Sequence, residues 1–336
     1  MRIARIEHRT PDGAEARIVV AGRDGWHDVR KAERLHLERR GAAVSAAARV
    51  AEAIAPGSLA RALELGDVFL EALHRAADDE TGDAVALDSR LLLPVDMPAY
   101  RDFMAFDDHF VEAGKKIGRE APDIVYELPV SYMGSVQAFV GPDDEVPWPS
   151  YTERMDYELE LGMVVGRGGR DILPEDSLGH VLGLTILNDF SARDIQAREM
   201  AGGLGPSKGK HFASAAGPCI VTLDELEVES LAMHARVNGE TWSSGSSGTM
   251  LWSIQELVAW AAAGEALAAG TLLGSGTVGG GCGLELGRFL SPGDVVELEV
   301  EGIGVLRNRL GARPERGWMP EPRQRQAGAR QPAGTT

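Results

Sequence analysis

This chain is short of cysteine, of positive charge and of long apolar runs, and each shortage removes a class of function. Only Cys219 and Cys282 occur among 336 residues. Two thiols are too few for a disulfide framework or a cysteine-rich zinc site, so both are expected to be reduced and packed. Lys and Arg number 34 against 51 Asp and Glu, a formal net charge of −17. Binding to a phosphate backbone or an anionic lipid surface needs an excess of cations, so neither nucleic acid nor membrane is an expected partner. No stretch approaches a run of about 20 apolar residues, the length that spans a bilayer, and the opening MRIARIEHRT does not read as a signal peptide. A cytoplasmic protein is expected. Internal repeats are also lacking.

What remains is ordinary globular material, 44% hydrophobic and 25% charged, which allows a sizeable core. Residues 1–94 read as a small α/β unit. Strand patterns at Arg2–Glu7, Ala16–Val20 and Trp26–Val29 are separated by the turn signals PDG and GRDG, and alanine-rich helical stretches follow at Ala42–Ala55 and Val68–Ala77. The segment ETGDAVALDSRLLLPVDMP suits a linker, with a boundary near Pro94. Beyond it, over residues 95–310, short strand patterns dominate, including Val164–Val165, Val181–Leu187, Cys219–Leu223, Met233–Asn238 and Val295–Val300, with one helical interval at Met250–Ala263. Residues 311–336, rich in Arg, Pro, Gln and Gly, read as a disordered tail.

The segment MDYELELGMVVG carries the most chemistry. As a strand, its period of two puts Glu158 and Glu160 on one face, about 6–7 Å apart, with Tyr157, Leu159 and Leu161 on the other. The run continues into Met163, Val164 and Val165, so the strand reads as buried. Two inward carboxylates repel unless a cation lies between them, and hard divalent ions take such oxygen ligands. A third carboxylate, Asp189, ends the apolar run VLGLTILNDFSARDIQ, where a turn-forming Asn-Asp pair explains it almost as well. Downstream, Arg193 and Gln196 face one way if a helical turn starts there, as donors for a carboxylate or oxyanion. GSGTVG at 274–279 satisfies the GxGxxG dinucleotide pattern, but GGCG follows at once and disfavours the helix that the pattern requires.

Taken in order, ExE at 158–160, NDFSARDIQ at 188–196, KGKHFASAAGP at 208–218 and GSGTVGGGCGLELG at 274–287 resemble the fumarylacetoacetate hydrolase family over about residues 100–310. The resemblance implies an α+β, mainly β fold with a mixed β-roll, a divalent metal held by carboxylates, and a homodimer. It makes Glu158, Glu160 and Asp189 the core metal ligands, with Asp102 a fourth. Mg2+ is the expected ion, with Mn2+ or Ca2+ as substitutes. His109, seven residues after Asp102, resembles the catalytic histidine, and either Glu285 or Glu112 orients it. Lys210 resembles the active-site lysine, Arg193, Gln196 and Tyr132 its substrate-contacting neighbours, and Thr277 the substrate-binding threonine. Two pocket tyrosines of the family are replaced here by Met104 and Met200, which argues against fumarylacetoacetate itself. The family's next basic residue matches Lys115, Lys116 or Arg119 equally well.

These parts suit metal-dependent hydrolysis of a carbon–carbon bond in a small 1,3-dicarbonyl acid, His109 activating water against a chelated keto-enolate. The same platform serves an enolate-forming isomerase, tautomerase or decarboxylase. A non-catalytic, metal-braced protein that binds a small keto acid is the reading from another class.

Overall fold

The computed structural model describes residues 1–323 apart from 12, 24, 80–83, 86–88, 119 and 121. Its centre is the strand Leu159–Val165, every residue of which is buried. A strand covered on both faces needs no polar side, so seven residues run together with no solvent-facing alternation. Its two faces nevertheless differ. Leu159, Leu161, Met163 and Val165 pack toward a second sheet, against Met233, Ala235, Leu298 and Leu306. Val164 points the other way, into a core shared with Phe69 and Leu73 of the helix Asp67–Ala77. Glu160 and Glu158 lie farther along that same face.

Among the described residues eleven strands form the main sheet. Leu159–Val165 pairs antiparallel with Val181–Asn188 on one side and Leu272–Gly274 on the other. Leu272–Gly274 then runs parallel to Tyr100–Phe103, which carries Ser131–Met133 at its outer edge. On the opposite side come Ser214–Val221 and, antiparallel to it, Arg2–Thr10 with Gly13–Gly22 beyond. The sheet is mixed and remains open at both ends. A five-stranded sheet, in the order Glu240–Ser246, Ala232–Val237, Val295–Val300, Gly304–Leu310 and Glu145–Val146, covers its other face. The architecture is α+β and mainly strand.

The first strand pairs Ile3 with Ile220, and Ile3, Ile18 and Val20 share a core with Val164 and Leu272. The expected boundary near Pro94 thus crosses one sheet and one core. Part of the segment read as a linker lies outside the described residues, but Leu91 bridges to Ile6 and Val95 is buried. Of the expected tail, residues 324–336 lie outside the described residues, whereas Arg313 donates to the Thr152 carbonyl at 2.7 Å. No helix of the described residues is long and apolar enough to cross a membrane.

Local signals explain the helices. Ile254–Ala262 starts on Ser253, whose hydroxyl accepts from the Glu256 amide while the Glu256 carboxylate accepts from the Ser253 amide, a reciprocal cap. The segment before it is partly strand, Glu240–Ser246, and the cap comes from Ser253. The helix Val29–Arg39 was not expected. Its sequence VRKAERLHLER is mostly polar, and it buries only Val29, Ala32 and Glu33, the last by pairing with Arg75 at 2.9 Å.

Candidate active site

Strand register gathers the acidic side chains at one end of the main sheet. Leu159 lies opposite Asn188, so Glu158 and Asp189 meet where one strand begins and its neighbour ends. Asp102 lies opposite Gly274. A Cβ on Gly274 would fall 2.2 Å from Asp102 Oδ1, so the glycine makes room for that carboxylate beside Glu160. In the same way a Cβ on Gly279 would fall 2.7 Å from the Cβ of Asp108 and push away the helix that carries His109. GSGTVG is therefore close-approach backbone after a short strand, with no helix opening on it.

Asp102, Glu158, Glu160, Asp189, Arg193 and Lys210 are all buried. Lys210 hydrogen-bonds Glu158 and lies 2.6 Å from Asp189 Oδ2. Asp189 also accepts from Tyr132 Oη at 2.6 Å and from Ser214 Oγ at 2.9 Å. Arg193 donates through Nε to Asp156 at 2.8 Å and through Nη1 to Gln196 at 3.1 Å, with Nη2 2.8 Å from Glu158 Oε1. The helix Arg193–Met200 supplies the three-residue spacing of that last donor and acceptor. Thr277 Oγ1 donates to Glu160 Oε1 at 3.2 Å.

Charge in this cluster is unevenly compensated. Burial alone would raise the Glu158 pKa, but Lys210 and Arg193 outweigh it and hold the carboxyl down at about 2. Asp102 and Glu160 have no such partner. Burial first, and then the neighbouring carboxylates, raise both well above the ordinary range. Lys210 is also pushed up, since Asp189 and Glu158 outweigh the desolvation that would lower it.

Asp102 Oδ1 and Glu160 Oε2 are buried without a hydrogen-bond partner. Oxygens of Asp102, Glu158 and Glu160 lie within 4.8 Å of one another. Uncompensated, closely spaced carboxylate oxygens fit a hard divalent cation. Asp189, expected among the core ligands, is not in that group. Its oxygens accept from Tyr132 and Ser214 and pair with Lys210, while Asp102, expected as the fourth ligand, stands with the two glutamates.

Across the cavity, His109 Nδ1 donates to Glu285 Oε1 at 2.7 Å, and Glu285 Oε2 accepts from the Gly280 amide at 2.8 Å. The other candidate, Glu112, is not brought to the histidine. It pairs with Lys115 at 2.6 Å and is half exposed, because it lies on the outer side of its helix. Arg119 lies outside the described residues. The cavity, of about 200 Å³, brings together His109, Asp102, Glu158, Glu160, Lys210, Arg193, Gln196, Tyr132 and Thr277.

Sequence reasoning missed Asp156. It accepts from Arg193 and from the Gly283 and Leu284 amides, at 2.7 and 2.9 Å, tying the glycine loop to the guanidinium. The signal was present, since Asp156 is two residues before Glu158 and shares its period. Ser214 and Asn188, whose Oδ1 accepts from the Glu158 amide at 3.0 Å, had none of that kind.

Comparison with known proteins follows this geometry. The family model for the fumarylacetoacetate (FAA) hydrolase C-terminal domain matches residues 99–311. Oxaloacetate tautomerase YisK of Bacillus subtilis is 33% identical over 270 residues, covering 76% of this chain and 87% of the relative. The human mitochondrial oxaloacetate tautomerase FAHD2A is 31% identical over 261 residues, covering 76% and 80%. Among solved structures, the fumarylacetoacetate hydrolase of Exiguobacterium antarcticum superposes with a TM-score of 0.70 at 26% identity, covering 93% of this chain and all of that one. A 5-carboxymethyl-2-hydroxymuconate delta-isomerase from Mycobacterium smegmatis gives 0.64 at 25% identity, covering 93% and 99%. The buried carboxylates, the histidine–glutamate pair and these matches lead to one assignment: the chain belongs to the fumarylacetoacetate hydrolase family.

Proposed function

We propose that this protein is a divalent-metal-dependent tautomerase of small 2-oxo acids, interconverting their keto and enol forms. The observation that carries the reading is His109, held by Glu285 at 2.7 Å and sharing one cavity with the uncompensated oxygens of Asp102 and Glu160. Two relatives named for oxaloacetate tautomerisation support it over carbon–carbon hydrolysis. The histidine itself does not discriminate, because a base able to accept a proton from water is equally able to accept one from carbon.

Asp102, Glu158 and Glu160 would hold the cation, Mg2+ by the hardness of its ligands. When bound it supplies Lewis acidity toward the 2-oxo group. The remaining work falls to the chain. Glu285 accepts the Nδ1 proton of His109, which fixes the tautomer with Nε2 as the basic atom. His109 Nε2 accepts the proton from the carbon next to the carbonyl and then gives it to the oxygen of the resulting enolate, so the imidazole returns to its starting form. One C–H bond breaks, one O–H bond forms, and nothing is oxidised. Lys210 and Arg193 place positive charge beside the developing oxyanion. Burial of these groups excludes water that would compete for the proton.

The test is proton NMR of oxaloacetate in deuterated buffer with Mg2+. Protein-dependent deuterium exchange at the methylene carbon, with total oxaloacetate conserved, supports the proposal. Pyruvate and carbon dioxide instead would make the protein a decarboxylase. Cleavage of acylpyruvates into two acids, without exchange of oxaloacetate, would restore the hydrolase reading.

A further inference from the structure

The cavity has two chemically different ends. At the deep end, five buried carboxylates, Asp102, Glu158 and Glu160 in the lining with Asp156 and Asp189 behind them, face two permanent cations among the described residues, Arg193 and Lys210. Both cations are already paired with neighbouring carboxylates. Lys210 is shared between Glu158 and Asp189, and all three guanidinium nitrogens of Arg193 are engaged, by Asp156, Glu158 and Gln196. Even with a divalent ion added, negative charge exceeds positive charge there. One substrate carboxylate at the metal is tolerable, but a second would be desolvated beside an anionic cluster with no partner.

The outer end is apolar. Met104, Phe110, Val130, Met200 and Pro206 line it, with Ser131 and Gln196 as uncharged polar neighbours. Met200, 47% exposed, sits at the rim on the last turn of the Arg193–Met200 helix. A flexible thioether wall of this kind accepts hydrocarbon of varied shape and offers nothing to a carboxylate.

We infer that the preferred substrate is a 2-oxo acid whose far end is an uncharged, apolar tail, and that Met104 and Met200 select against a second carboxylate. The inference rests on the 2-oxo acid reading above, and it separates this chain from a preference for oxaloacetate. Removing the second charge increases binding, and placing a cation at the rim weakens that preference.

Calorimetry with Mg2+-loaded protein and two acids that undergo no net conversion, because their keto forms predominate, tests it: 2-oxohexanoate, with a hydrocarbon tail, and 2-oxoglutarate, with a carboxylate one. The expected result is at least about tenfold tighter binding of 2-oxohexanoate. Met200→Lys, at a rim position where folding is not at risk, shifts the ratio at least about fivefold toward 2-oxoglutarate. Equal binding, or tighter 2-oxoglutarate binding by the unaltered protein, overturns the inference, as does an unchanged ratio in M200K. Tautomerase turnover is scored separately, with oxaloacetate and its 4-ethyl ester, which is uncharged at C4. Tail preference in binding without exchange of either compound sinks the proposed function and leaves the selectivity standing. Faster exchange of oxaloacetate than of the ester sinks the selectivity and leaves the function.

Discussion

The two sides of the cavity are built differently. The carboxylate side stands on strands of the main sheet, with Glu158, Glu160 and Asp102 buried and fixed by register on both flanks. The histidine side stands on the helix Asp107–Ile117, among whose described residues only Gly114 is buried, and its link to the opposite wall is the His109–Glu285 hydrogen bond. The difference follows from what each side must do. Carboxylates that repel one another need a rigid frame to stay within reach of one ion. A proton carrier must reach its substrate and let it leave, which suits an element of low local stability.

Breaking the rigid side should have the largest effect. In Glu160→Gln a neutral isostere replaces a carboxyl that burial already drives toward its neutral form, so the metal-free fold should survive. Mg2+ binding by calorimetry should be lost, and activity should fall by about a thousandfold or more, as expected when several kcal/mol of Lewis-acid stabilisation disappear. Tight Mg2+ binding by this variant would mean that the ion sits elsewhere. His109→Gln should lower kcat by about 10²–10⁴-fold while leaving the Mg2+ affinity unchanged. Glu285→Gln keeps an acceptor near Nδ1 but loses its charge, and should cost about 10–100-fold in kcat with little change in KM.

How much of this was legible in the sequence follows the same division. The period of two in MDYELE placed Glu158 and Glu160 on one face because the two faces of that strand differ so strongly in polarity. Which carboxylates lie within reach of one ion depends on register between strands far apart in sequence, so the period of MDYELE alone could bring neither Asp102 nor Asp189 to the glutamates, and both came only from the family resemblance. On the helical side, Glu112 and Glu285 were equally plausible partners for His109. Only the fold reveals that Lys115 occupies Glu112 and that the Gly279 contact draws the helix onto the loop leading to Glu285. The helix Val29–Arg39 escaped notice because its buried stripe includes a glutamate, a residue that a hydropathy pattern scores as exposed.

The rigid side should also impose a pH dependence on stability. Asp102 and Glu160 have folded-state pKa values raised above those of the unfolded chain, so the fold holds more protons than the unfolded state. Their contribution is full below the ordinary carboxylate range and is lost as pH rises through the raised values. Glu158 acts oppositely. Its stabilisation is present above the ordinary value and is lost as pH falls toward about 2. In chelator the Tm should therefore fall from mildly acidic to alkaline pH, and the Mg2+-induced gain in Tm should grow over the same interval. Asp102→Asn should flatten the chelator profile. A metal-free Tm that rises with pH would contradict the charge balance described for the cluster.

The smallest effect should come from the far end of the helical side. Gly118 ends the His109 helix with φ of +69°, a left-handed conformation in which its amide closes the last turn on the Gly114 and Lys115 carbonyls. A Cβ there meets no other atom, so Gly118→Ala tests backbone strain alone, at a cost of about 1 kcal/mol. Because no side chain of the helix is buried among the described residues, that cost should appear as local fraying. Amide hydrogen exchange over Glu112–Lys116 should quicken about fivefold, the factor that 1 kcal/mol represents, while the amides of Leu159–Val165 keep their protection. Equal acceleration in both segments would show that helix and sheet open as one unit, and the contrast between a rigid and a yielding wall would not hold.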